Sequence, residues 1–180
     1  GGYADTGILS GAGPSQVHMD NGAAAAVAYG GTGPFSALSS EQYHRSKPPL
    51  DAIKERAKDA KVTYRTGFYI ADAVESAKQA DVAIVFANQW QSEGFDQPDL
   101  SLPRGQDALI AAVTAANPNT IVVLQTGSAI AMPWLDRTAG VIEAWYSGGA
   151  GGEAIASVLF GETNPSGRLP ITFPASVADL

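Results

Sequence analysis

From residue 61 onward the chain alternates between two kinds of apolar patterning. Near-continuous apolar runs stand at 81–87 (DVAIVFA), 120–127 (TIVVLQTG) and 140–146 (GVIEAWY). Around them, apolar residues recur at helical spacing in 70–80 (IADAVESAKQA), 105–118 (GQDALIAAVTAANP), 131–137 (AMPWLDR) and 151–161 (GGEAIASVLFG). Runs that lose polar alternation belong to strands covered on both faces. Strands that alternate with helices imply parallel βαβ units. The pattern predicts an α/β fold, a three-layer α/β sandwich with a mostly parallel sheet. KVTYRT (61–66) is expected to add a short strand, and ITF within 164–174 a strand-like piece. The helix at 105–118 should stop before Pro118, and Gly161 is placed to cap the last helix.

Upstream the pattern is weaker. Residues 1–46 are rich in Gly, Ser and Ala and read as long loops with short ordered pieces. A stretch of that length without structure of its own is unusual inside a compact domain and is often functional. KPPLDAIKERAK (47–58) predicts a helix with prolines at its start and Leu50, Ile53 and Ala57 on one face. The opening, GGYADTGILSGAGPSQ, has no strand or helix ahead of it and reads like the loop after a missing first strand. The expectation is a single domain over 1–180 that is truncated at its N-terminus, with no internal repeats.

Composition narrows the classes. Of 180 residues, 45% are hydrophobic and 16% charged, as in an ordinary globular chain. A net charge of -7 and no dense Lys/Arg run argue against a nucleic-acid surface. There are no cysteines, which excludes disulfides and thiolate metal sites and is compatible with a periplasmic or secreted location. His18 and His44 lack metal-ligand spacing, so no metal and no cofactor are expected. No apolar run approaches the ~20 residues of a membrane span.

The architecture points to a place for chemistry. In open parallel sheets, sites form beyond the carboxyl ends of the strands. The loops there are 88–104, 127–130 and 147–150, and the first is longer than a βα connection needs to be. Its sequence, ANQWQSEGFDQPDLSLP (87–103), packs Trp90, Phe95 and the carboxylates Glu93, Asp96 and Asp99 together. Gly94 lets the backbone turn sharply after Glu93. Trp90 and Phe95 could lower the local dielectric and raise the pKa of Glu93, as a general acid requires. The bland alternative is a solvated loop carboxylate. Asp96 and Asp99 fit helix-capping or loop-fixing roles. The glycines of SGGAGGEA (147–154) are followed by no Lys-Ser/Thr, so a tight strand-to-helix turn, or a loop that another surface approaches closely, is favoured over a phosphate cradle. GAGPSQ (11–16) is equally ambiguous. Trp134 and Trp145 are read as packing residues and Arg168 as structural, whereas Trp90, in the loop, could stack on a sugar.

Several of these segments together resemble a known family. QSEGFDQPDLSLPRGQDALIAAV (91–113), VVLQTG (122–127) and EAWYSGGAGGEAIASVLFGETNPSGRLPITFP (143–174), with GILSGAGPSQV and PLDAI upstream, resemble the C-terminal α/β sandwich domain of family 3 glycoside hydrolases, the β-glucosidase family. The resemblance implies a retaining exo-glycosidase that hydrolyses terminal non-reducing β-D-glucosyl residues. Such enzymes work with two carboxyl groups about 5–5.5 Å apart. In that family the nucleophile is an Asp on an N-terminal (β/α)8 barrel, a partner domain this chain does not contain. The acid/base Glu comes from a sandwich-domain loop in a Glu-Gly-aromatic stretch, to which EGFD is similar. By that match Glu93 is the acid/base, with Trp90 and Phe95 as substrate-binding residues and β-linked glucosides as ligands. An Arg often follows the Asp in this motif, and here the residue is Gln97. The rival readings are a non-catalytic carbohydrate-binding or scaffold module and, on the glycine loops alone, a phosphate-binding domain.

Overall fold

The computed structural model describes residues 47–91 and 96–180, together with the backbone of two strands at 23–28 and 40–44. The elements run β1 (Ala23–Ala28), β2 (Ser40–His44), α1 (Pro49–Arg56), α2 (Ile70–Lys78), β3 (Ala83–Asn88), α3 (Gln106–Ala116), β4 (Thr120–Gln125), β5 (Gly140–Glu143) and α4 (Gly151–Leu159). β1 and β2 form an antiparallel pair with Ala28 opposite Ser40. An alanine-rich run, AAAAVA, has weak strand propensity, which hides the pair in a stretch read as mostly loop. The other three strands form one parallel sheet in the order β3-β4-β5, with Val85 beside Val122 and Val122 beside Val141.

The sandwich follows from side-chain alternation along these strands. Val85 and Ala87 of β3 and Val122 and Leu124 of β4 enter one apolar cluster with Ala77 of α2 and Leu109, Ile110 and Val113 of α3. Phe86 and Val123 point the other way and pack with Ala52 and Ile53 of α1 and Ile155 and Ala156 of α4, joined by Ile84 and Ile142. Two helices therefore lie on each face, and the sheet is apolar on both, as the unbroken runs predict. Fully burying a side chain such as Ile110 contributes roughly 1.5–3 kcal/mol before conformational entropy is subtracted.

Local signals set the ends of the helices. α1 starts at Pro49, where a missing N–H costs nothing, and Pro49, Ala52 and Ile53 form its buried face. α3 ends at Ala116, and the Asn117 side chain donates to the carbonyls of Ala77 and Ala80, which fastens the end of α2 to the end of α3. Gly161, at φ 71°, follows the cap of α4 as expected. The glycines at the start of α4 serve close approach: a Cβ on Gly152 would lie 2.2 Å from the Lys47 carbonyl oxygen. A surface ion network runs over the same contact, with Lys47 2.6 Å and Arg56 2.8 Å from Glu153.

Three expected elements differ. Residues 61–66 form no strand, although Val62 and Tyr64 are less exposed than the residues beside them. Period-two burial describes how side chains alternate, and a ladder also needs a partner. Residues 171–173 are likewise not in a strand; Ile171 is exposed and Phe173 packs onto the α2/α3 side of the core. Of 131–137, only Leu135–Arg137 is helical, as a single 3₁₀ turn.

Candidate active site

At the carboxyl ends of β3 and β4 the side chains change character while staying buried. Asn88, Gln89, Gln125 and Thr126 are at most 3% exposed. Gln89 N donates to Gln125 O and so faces β4, which leaves the Asn88 peptide facing outward. The Gln106 side chain closes that outer edge, with Oε1 accepting from Asn88 N at 2.9 Å and Nε2 donating to Asn88 O at 2.7 Å. One amide thus stands in for the peptide group of a neighbouring strand. Among the described residues, Asn88 Nδ2, Gln89 Oε1 and Gln125 Oε1 are buried without a hydrogen-bond partner. Unsatisfied groups of this kind cost about 1–3 kcal/mol each and mark a place where stability is not the only constraint.

The long loop leaves this rim and returns to it, and both limbs are tied down. On the outgoing limb, the Tyr146 hydroxyl donates to Gln89 O and Gln91 Nε2 donates to Ser128 Oγ. Gly127 lets Gln91 sit there, because a Cβ on Gly127 would lie 2.2 Å from Gln91 Oε1 and 3.0 Å from the Tyr146 ring. On the returning limb, Asp99 accepts from Ser101 N at 2.7 Å, the loop-fixing role expected of it. Leu100 O accepts from Ala131 N, Leu102 N donates to Asp107, and Leu102 is buried in the α2/α3 cluster. Gln97 joins the limbs: Oε1 accepts from Gln89 Nε2 at 3.3 Å and Nε2 donates to Trp90 O at 3.4 Å. Where an Arg often stands in the motif, the Gln makes an amide clasp across the neck of the loop.

The expected site residues divide accordingly. Glu93 and Phe95, with Ser92 and Gly94, lie outside the described residues. Trp90 is half-buried at the neck. Asp96 and Arg168 are exposed. Trp134 is a packing residue, 1% exposed, with Nε1 donating to Asp107 at 2.7 Å. Trp145 packs its ring edge-on against Phe173 with centroids 6.1 Å apart. Its backbone, however, holds φ 51°, a left-handed conformation that a bulky residue adopts only when its surroundings enforce it. GAGPSQ (11–16) and His18 lie outside the described residues, as do the side chains of β1 and β2.

Glu143 was not singled out from the sequence. It is the last residue of β5; Oε1 accepts from Trp145 N at 2.8 Å and Oε2 from Thr126 Oγ1 at 3.2 Å. Burial pushes its carboxyl up from the usual range to about 7, against the downward pull of the Trp145 and Thr126 hydrogen bonds. A carboxylate closing an otherwise apolar strand was the signal that could have found it. The set Gln91, Gly127, Ser128, Glu143 and Tyr146 forms a polar seat for the stem of the long loop. Among the described residues no cluster of His, Cys, Asp and Glu could hold a metal ion, and no helix is long and apolar enough to cross a membrane.

Known proteins resemble this chain in sequence and in fold. The model of the glycosyl hydrolase family 3 C-terminal domain matches residues 2–180. The chain belongs to this family. Among curated relatives of the family 3 domain, beta-glucosidase B of Emericella nidulans is 47% identical over 135 residues, covering 67% of this chain and 16% of that protein. The beta-glucosidase of Rhizobium radiobacter is 44% identical over 142 residues, covering 77% of this chain and 17% of that protein. The chain thus spans about a sixth of the length of these relatives. Among solved structures, DesR, a beta-glucosidase from Streptomyces venezuelae in complex with D-glucose, is 57% identical with a TM-score of 0.59, over 59% of this chain and 14% of that one. The beta-D-glucoside glucohydrolase of Trichoderma reesei is 29% identical with a TM-score of 0.70, over 86% of this chain and 22% of that one.

Proposed function

We propose that this chain is the acid/base-bearing domain of a retaining exo-β-glucosidase, acting on terminal non-reducing β-D-glucosyl residues together with a (β/α)8 barrel that supplies the Asp nucleophile. The observation that carries the reading is the long loop. The outgoing limb bonds to Ser128 and the returning limb to Ala131, both beyond the carboxyl end of β4, and the segment between them holds Glu93. That rim is where an open parallel sheet presents its chemistry. In the proposed cycle Glu93 first protonates the departing glycosidic oxygen as the barrel Asp attacks the anomeric carbon. It then takes a proton from the water that hydrolyses the glycosyl-enzyme. Trp90 and Phe95 would flank the sugar and the leaving group. The relatives' beta-glucosidase names support the class of reaction.

The test is Glu93→Gly in the full-length enzyme. Turnover of an alkyl β-glucoside should fall by roughly 100-fold or more. Azide should restore turnover of a substrate with a good leaving group, because it can attack the glycosyl-enzyme without general-base help. Unchanged hydrolysis of the alkyl glucoside defeats the assignment.

A further inference from the structure

We propose that Glu143 is the positioning residue for the loop that carries Glu93, a role that rests on the acid/base reading of that loop. Two hydrogen-bonded routes lead from its carboxyl group to the stem of the loop. The first passes through Thr126, whose hydroxyl lies 3.2 Å from Glu143 Oε2 and 2.8 Å from Ser128 O. Ser128 Oγ then accepts from Gln91 Nε2. The second passes through Trp145, whose N–H donates to Glu143 Oε1 at 2.8 Å while its φ stands at 51°. That turn directs the next residue, Tyr146, whose hydroxyl donates to Gln89 O. Gln89 and Gln91 are both reached, and Gln91 is two residues from Glu93.

The geometry favours positioning over direct chemistry. Both carboxyl oxygens face inward, Oε1 accepting from a peptide N–H and Oε2 meeting the Thr126 hydroxyl, whose single proton is shared with the nearer Ser128 O. A left-handed tryptophan costs about 1–2 kcal/mol, and the bond from its N–H to Glu143 holds it. Burial has also moved the Glu143 carboxyl to about 7, so the site keeps an ionisable group that an apolar residue would replace at lower cost. A misplacement of about 1 Å far from the reacting bond is enough to slow an enzyme by 100-fold, so a stem with two tethers is a place where one carboxyl can govern turnover.

The experiment uses the full-length enzyme and compares two substrates by kcat/KM. Methyl β-glucoside needs a proton donor for its leaving group, and 2,4-dinitrophenyl β-glucoside does not. Glu143→Ala should lose roughly tenfold or more on the methyl glucoside and stay within about threefold on the aryl substrate. Glu143→Gln keeps an acceptor for Trp145 N and a polar partner for Thr126, and should recover most of the loss. Ser128→Ala and Tyr146→Phe each cut one route and should show smaller losses with the same substrate split. Equal loss on both substrates, no loss on either, or a Gln variant as impaired as the Ala variant overturns the proposal; the last result would make Glu143 a proton donor itself. Should Glu143→Ala fail to fold, the two route variants decide, and absence of the split in both overturns it. Glu93→Gly is run alongside. If it collapses the methyl glucoside activity while Glu143→Ala does not, only the positioning role falls. If it leaves that activity intact, the loop reading and the positioning role fall together.

Discussion

Val122, Val123 and Leu124 in mid-β4 and Gln125 and Thr126 at its end are equally buried, at no more than 1% exposed. They are nonetheless built on different terms. The first three fill the two apolar clusters with aliphatic side chains. Among the described residues, Gln125 Oε1 and Asn88 Nδ2 have no hydrogen-bond partner. Thr126 bonds to Glu143, whose carboxyl is held out of its ordinary range, and the next strand turns into a left-handed tryptophan. Stability resides in the interior, and the carboxyl rim carries strain and unsatisfied polarity. That division is expected where a rim must present a loop rather than merely close a core.

The largest effect should come from the interior. Ile110→Ala, at a fully buried position facing β3 and β4, should destabilise by about 2–5 kcal/mol in urea unfolding followed by tryptophan fluorescence. Kinetic constants of the enzyme that stays folded should change little.

The rim should respond to pH instead. The folded pKa of Glu143, about 7, lies above the ordinary carboxyl value of 4.5, so between those limits the folded state binds more protons than the unfolded one. Stability from this group is therefore greatest below about pH 4.5 and declines as pH rises through 7. Glu143→Gln removes that penalty. At pH 8 it should be more stable than the parent by roughly 1–2 kcal/mol, a figure reduced to allow for solvent at a half-buried site, and the gain should vanish near pH 4. Melting temperatures across that range check the sign.

Gly127→Ala tests the seat without touching a charge. Its Cβ would displace Gln91 and press on the Tyr146 ring. Activity of the full-length enzyme on an alkyl glucoside should fall by about tenfold, or 1.4 kcal/mol in barrier, with a far smaller change in unfolding midpoint. A change in midpoint large enough to account for the lost activity would erase the distinction between rim and interior.

The smallest effect concerns Trp145. Both Trp145→Ala and Trp145→Gly lose the contact with Phe173, but only Gly is at ease at φ 51°. The Gly variant should be more stable than the Ala variant by about 1 kcal/mol, which paired thermal melts can read.

Much of this interior was legible because burial on two faces leaves a plain mark. Three apolar runs became β3, β4 and β5, and the helical spacings of 70–80, 105–118 and 151–161 around them became α2, α3 and α4. Boundaries were less legible where a single residue overrode the pattern. The run 140–146 stays apolar beyond Glu143, but the strand stops at Glu143 and the backbone turns left-handed at Trp145. Residues 61–66 had the alternation of a strand, and alternation says nothing about who pairs with it. At the rim, the loop stood out through its length and its aromatic and acidic content. Its seat did not, since Gln91, Gly127, Ser128 and Tyr146 are ordinary residues until the fold brings three loops together. Glu143 was visible only as an acidic residue in an apolar run, and its role depends on a threonine 17 positions away.

The Gln97 clasp has a consequence for how such a domain diversifies. Its bonds to Gln89 and to the Trp90 carbonyl join the two limbs through residues on either side of 92–95 in the sequence. A change of side chain at those four positions removes no donor and no acceptor of the clasp, so the tie between the limbs and the chemistry proposed for Glu93 can vary separately.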